Sequence, residues 1–324
     1  MASASTTHTP VYPEYFADPY VWRAGKNYFA IGTGEHEASG GIGARVFPLL
    51  QSSDLQHWKF IDHALVPPAS LVGTHFWAPE VVEHEHRFYL YYSAGFGDKG
   101  HQLRVAASDH AHGPFHDLGH ALVDPNACSF AIDAHAFRDD DGQWYLFYAR
   151  DFLQCSGDQR PGTALMAARM KSMTEIENEG QVVLRARHDW QRFERDRPMY
   201  GGRWDWHTLE GPFLRKHGGR YYCFYSGGRW ENESYGVDYA VADHVLGPYS
   251  DAGGEARPRV LRTIPGGLLG PGHNSVITGP DGKTDFLVYH AWDSGMTARR
   301  MFIEPLVWTA DGPRAQTLAS VGQF

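Results

Sequence analysis

Apolar and polar positions alternate along this chain in short runs, and the runs come in pairs. The clearest pair lies between Phe130 and Arg150. A first run through Ile132, Ala136 and Phe137 stops at Asp140, Asp141 and Gly142, and an aromatic run from Trp144 to Tyr148 follows. Period-two alternation interrupted by an Asp-Gly turn predicts a β-hairpin. The same pattern recurs from Asp18 to Ile31, Ala78 to Tyr92, Glu210 to Tyr225 and His273 to Tyr289. Most copies are followed by another strand and a polar turn, and the segments Ala106 to Phe115 and Ala240 to Tyr249 are near-duplicates.

Five copies at a spacing of roughly 55 to 80 residues, with about four strands per copy, predict an all-β chain folded as a five-bladed β-propeller. It is expected to form one domain over residues 1–324, with residues 1–10 disordered. In such a ring the first strand of each blade lies innermost, so equivalent positions face one another. Aligning the hairpins puts Asp18, Ala78, Asp133, Glu210 and His273 at the strand heads. Three acids and an imidazole at the convergence point have no packing rationale. Like charges brought together push at least one pKa upward.

Composition changes this picture little. The 324 residues are 42% hydrophobic and 14% aromatic with 36 glycines, a globular, strand-and-turn profile. A formal charge of −9 argues against nucleic acid or an anionic membrane as the partner, and a neutral ligand fits better. Cys128, Cys155 and Cys223 are odd in number and lack CxxC spacing, so three reduced thiols are expected. Met1 to Pro10 has neither a basic flank nor an apolar run, which reads as a cytoplasmic protein. His84 and His86 read as a solvated turn, and Gly40 to Gly43 is too short for a phosphate loop.

The three acids suit one reaction class. One protonated and one ionised carboxyl flanking a bond hydrolyse a glycosidic linkage, and a third beside the acid raises its pKa and orients it. If acid and base stand about 6.5 to 9.5 Å apart, a water fits between base and sugar and the anomeric centre inverts. Rings from Trp77, Trp22, Phe76, Trp204 and Trp206 are candidate sugar platforms.

These motifs together resemble glycoside hydrolase family 43: Asp18-Pro19 with Val21, Trp77-Ala78-Pro79-Glu80-Val81, Ser53-Asp54-Leu55 with Trp58, Ile132-Asp133-Ala134, Glu210-Gly211-Pro212 and Gly272-His273-Asn274-Ser275. The resemblance spans Phe16 to about Pro313. It implies a five-bladed propeller that inverts configuration and acts on arabinose- or xylose-containing plant cell-wall oligosaccharides. By motif match Asp18 is the general base, Asp133 the pKa modulator and Glu210 the general acid. His273 matches a histidine that sits on a metal ion, often calcium, in the central channel, and no organic cofactor is implied. Trp77 and Arg300 match residues that bind the sugar, with the neighbouring Arg299 as the rival to Arg300. Two departures are expected to matter: Ala17 stands where many members have histidine, which weakens an endo-arabinanase reading, and the β-sandwich that some β-xylosidases carry after the propeller is expected to be absent. The expectation is an exo-acting glycosidase releasing terminal α-L-arabinofuranosyl or β-D-xylosyl units. The alternatives are a β-xylosidase, an endo-arabinanase, a retaining fructosidase and a propeller that only binds sugar. The segment from Ser172 to His207 is expected to form loops over the active-site face.

Overall fold

In a computed structural model the described residues are 8–35, 45–68, 70, 72–253 and 257–320. Most of Met1 to Pro10 and all of Gly40 to Gly43 therefore lie outside them. The described chain is all-β apart from a 3-10 turn, Asp189–Gln191, and one short helix, Gln316–Ser320. Each of the five sequence copies folds as an antiparallel hairpin whose second strand pairs with a third. The first strands are Ala17–Ala24, His75–His84, Ala131–Arg138, Leu209–His217 and Leu269–Thr278. Copies one and two join at their outer strands, where Leu65 pairs with Phe115 in parallel.

The core is not a single layer. The second strands are buried on both faces, as in Arg87–Phe96, which explains their near-continuous apolar runs. Five hydrophobic clusters among the described residues occupy the junctions between successive copies. Val81, Leu90 and Ile31 fill the first junction, Val105, Leu146 and Met166 the second, and Leu165, Leu214 and Tyr225 the third. Phe224, Leu287 and Phe302 fill the fourth. In the fifth, Val21, Tyr28 and Leu50 of the first copy pack on Val288 and Met301 of the last. The five first strands likewise contact one another in cyclic order. The start of the chain ties the closure: the Val11 and Phe16 N–H groups donate to the Met301 and Arg299 carbonyls, each at 2.9 Å.

The segment expected as loops is largely ordered strand. Arg192–Met199 and Gly202–His207 form a hairpin, because its polar residues pair across to one another and only Trp206 and His207 sink into the interior. No disulfide forms: Cys128 and Cys223 are buried and Cys155 is exposed.

Candidate active site

Every first strand is broken by a bulge at its head, and each bulge turns on a residue with positive φ. These residues are Asp18 (48°), Ala78 (47°), Asp133 (61°), Gly211 (55°) and His273 (50°). Left-handed backbone costs a residue with a Cβ on the order of 1 kcal/mol, so the four non-glycine residues of this ring need support from their surroundings. The support comes from the preceding copy. Ala78 N–H donates to Thr33 Oγ1 at 2.9 Å and Gly211 N–H to Asp133 Oδ2 at 2.8 Å. His273 N–H donates to Ser226 Oγ at 2.7 Å, and Asp18 N–H to His290 Nδ1 at 3.0 Å.

This geometry corrects the alignment of the strand heads. Asp18, Ala78, Asp133 and His273 are equivalent, but their counterpart in the fourth copy is Gly211. Glu210 stands one residue earlier, level with Trp77. The kinked backbone nevertheless brings all three acids to one cavity of about 820 Å³, together with His273 and Trp77. That volume lies within the usual range of small-ligand sites.

The charges are arranged asymmetrically. Burial alone would raise Asp18, but the charges of His273 and Arg299 overcome it and hold its carboxyl far below the usual range. The contacts are His273 Nδ1 to Asp18 Oδ1 at 3.4 Å and Arg299 Nη1 to the same oxygen at 3.5 Å. Thr33 Oγ1 donates to the other oxygen at 2.7 Å. Glu210 is pushed up by burial and by Asp133, and Asp133 is itself raised by burial and by Asp18. Tyr235 donates its hydroxyl to Glu210 Oε1 at 2.6 Å. Burial pulls the His273 imidazole down, yet Asp18, Asp133 and Glu210 together leave it raised. His290 is lowered to about 4 by burial, so it is neutral and accepts the Asp18 N–H. The raised His273 imidazole and the Arg299 guanidinium thus face the lowered Asp18 carboxyl, while Asp133 and Glu210 are both pushed toward the protonated form.

Arg299, not Arg300, faces the cavity. Successive strand residues point to opposite faces. Arg299 is buried, bonded to the Tyr15 hydroxyl at 2.7 and 3.0 Å and stacked 4.4 Å from the Trp230 ring. Arg300 turns away to Asp293 at 3.1 Å. Trp77 lines the cavity with its ring stacked on His101 at 3.8 Å, and Trp206 also reaches it. Trp22 and Phe76 belong instead to the first junction cluster, and Trp204 donates to the Met199 carbonyl without itself lining the cavity. Tyr235 and Asp151 are site residues absent from the sequence expectation, which held Arg299 as the rival to Arg300. For Arg299 the signal was its shared strand face with apolar Met301. Tyr235 follows a loop outside the repeated hairpins, where no pattern pointed to it. Gly272 makes room for its ring, since a Cβ there would lie 1.9 Å from Tyr235.

His273 spends Nδ1 on the acids, which leaves Nε2 for a ligand. Among the described residues no three His, Cys, Asp or Glu side chains converge to hold a metal ion. Calcium takes six to eight oxygen ligands. The donor set therefore suits only a hydrated cation. Next along the strand, both polar atoms of the buried Asn274 side chain lack a hydrogen-bond partner among the described residues.

Comparison with known proteins bears on the chemistry. Residues 7–313 match the description "Glycosyl hydrolases family 43". A β-D-galactofuranosidase of Aspergillus niger is 27% identical over 96% of this chain and 88% of its own length. An extracellular exo-α-(1→5)-L-arabinofuranosidase of Cellvibrio japonicus is 27% identical over 91% of this chain and 84% of its own. Among solved structures, a thermostable family-43 glycoside hydrolase is 28% identical, covers 96% of both chains and superposes with a TM-score of 0.79.

Proposed function

The chain belongs to glycosyl hydrolase family 43 and is a glycoside hydrolase, and from that premise we propose that it is an inverting, exo-acting enzyme releasing terminal α-L-arabinofuranosyl or β-D-xylosyl units from oligosaccharides. The observation that carries this is the opposed protonation of Asp18 and Glu210 across one cavity. Asp18 is the base: it takes a proton from the water that attacks the anomeric carbon on the face opposite the leaving group. Glu210 is the acid. The Tyr235 hydroxyl occupies Oε1, so the proton sits on Oε2 and passes to the leaving oxygen as the glycosidic bond breaks. Asp133 keeps Glu210 protonated and fixes its backbone through the Gly211 N–H.

The architecture belongs to the same proposal: a single domain of five blades, supported by five hairpins, five junction clusters and cyclic contact of the first strands. A hydrated calcium ion would be held by His273 Nε2, with water as its other ligands. It would supply positive charge beside Asp18 in place of the Nε2 proton that a ligating imidazole gives up. The exo reading draws support from the inserted hairpin. Arg197 on it reaches Asp98 at 3.0 Å and its Glu194 lies 3.9 Å from Arg229, so it walls the cavity between the second and fourth copies. The furanosidase names of both sequence relatives favour a furanosyl over a xylosyl unit.

A panel of nitrophenyl α-L-arabinofuranoside, β-D-xyloside and β-D-galactofuranoside with arabino- and xylo-oligosaccharides, with and without chelator, tests this. Release of single pentoses is expected, with Glu210→Ala losing oligosaccharide cleavage by at least a thousandfold while keeping its thermal unfolding midpoint. Undiminished turnover by Glu210→Ala, or release of longer products from the chain interior, would overturn it.

A further inference from the structure

Among the other carboxylic acids that line the cavity, Asp151 is one that the reaction just described does not use. Asp151 stands next to last in the strand Trp144–Phe152, pairs with Thr163 and lines the cavity wall. Its Oδ2 accepts the Tyr200 hydroxyl at 2.5 Å. Its Oδ1 is buried and has no hydrogen-bond partner among the described residues. A carboxylate oxygen taken out of water and left unpaired is unfavourable, and such exceptions are tolerated where a ligand supplies the missing donor.

Its depth indicates which part of a ligand would supply that donor. Tyr200 lies in the two-residue turn between Arg192–Met199 and Gly202–His207, where it and Gly201 both have positive φ (50° and 72°). Tyr200 is 48% exposed, whereas Asp18 and Asp133 are 9% and 7% exposed. The Tyr200 contact therefore places Asp151 where the hairpin tip meets the outer wall, above the acids on the innermost strands. In an exo-acting pocket the released sugar fills the floor and the rest of the oligosaccharide points to the mouth.

We propose that Asp151 is a sugar-binding residue for the leaving group, its unpaired Oδ1 accepting a hydroxyl of the sugar beyond the scissile bond. This rests on the exo-glycosidase reading and adds a specificity determinant to it. The site takes a neutral, hydroxyl-bearing leaving group. It discriminates a glycosyl leaving group from an aryl one that offers no hydroxyl, because only the former relieves the unpaired oxygen.

The test is the ratio of kcat/KM for a disaccharide to that for a nitrophenyl glycoside with the same terminal sugar. Asp151→Ala is expected to lower the ratio about tenfold or more. Asp151→Asn, which keeps the shape and thus the fold, lowers it about threefold or more. Tyr200→Phe, which leaves Oδ1 in place, moves it less than either. A ratio unchanged in both Asp151 variants, or equal losses on both substrates, overturns the assignment. Failure of the wild-type enzyme on every glycoside would overturn the exo-glycosidase reading as well, so the two failures are distinguishable.

Discussion

Asp133→Asn removes one negative charge and little else, because the asparagine carbonyl still accepts the Gly211 N–H that Asp133 Oδ2 holds at 2.8 Å. That hydrogen bond puts the carboxylate one residue from Glu210, a separation on the order of 5 Å. With an effective dielectric of about 20, a like charge at that distance is worth about 3 kcal/mol, or about two pH units on its neighbour. His273, 4.0 Å from the same oxygen, offsets part of this, so the expected effect is about one unit. The sign is fixed: the Asp133 charge raises Glu210, and its loss lets Glu210 ionise at lower pH. The alkaline limb of kcat/KM, where the acid loses its proton, therefore moves down by about one unit. The assay is oligosaccharide cleavage followed chromatographically from pH 4 to 10, since an aryl leaving group would mask the need for an acid. A limb that stays in place, or moves upward, would refute the reasoning that Asp133 keeps Glu210 protonated.

Tyr235→Phe shifts the same limb the opposite way. Its hydroxyl favours ionised Glu210, so losing a bond worth about 1.5 to 3 kcal/mol raises the acid further and moves the limb up by about one unit in the same pH series. Arg299→Lys is expected to lower kcat/KM at least tenfold by loosening Asp18 and Tyr15, whereas Arg300→Lys stays within about twofold; steady-state kinetics on one substrate compares them. His135→Ala destabilises the fold by about 3 kcal/mol, read from urea unfolding. His135 bridges three first strands, from Glu80 Oε2 at 2.8 Å to the Leu214 N–H at 3.0 Å, and its removal leaves a buried carboxylate unpaired.

The hairpins and the three acids were legible in the sequence because repetition makes each copy a ruler for the others. Two errors of one residue show where that ruler stops. Glu210 was aligned with Asp133, but the residue that takes the left-handed turn is Gly211, and a bulge is invisible to an alignment that counts residues evenly. The Pro after Asp18, Ala78 and Gly211 marked the true register. Arg299 and Arg300 differ only in which strand face they occupy, and that is set by Met301 packing on the first copy, a contact between the two ends of the chain. The hairpin from Arg192 to His207 belongs to no repeat. Its charges read as loop until their partners Asp98 and Arg229, and the Tyr200 hydroxyl bond to Asp151, are seen.

The central claim is that Asp18 activates water while Glu210 protonates the leaving group, in a single displacement without a covalent intermediate. Proton NMR of the first turnovers, recorded before the released sugar mutarotates, tests it directly. The account predicts that the first sugar to appear has the anomeric configuration opposite to that of the glycoside. Initial release with the configuration retained would contradict it.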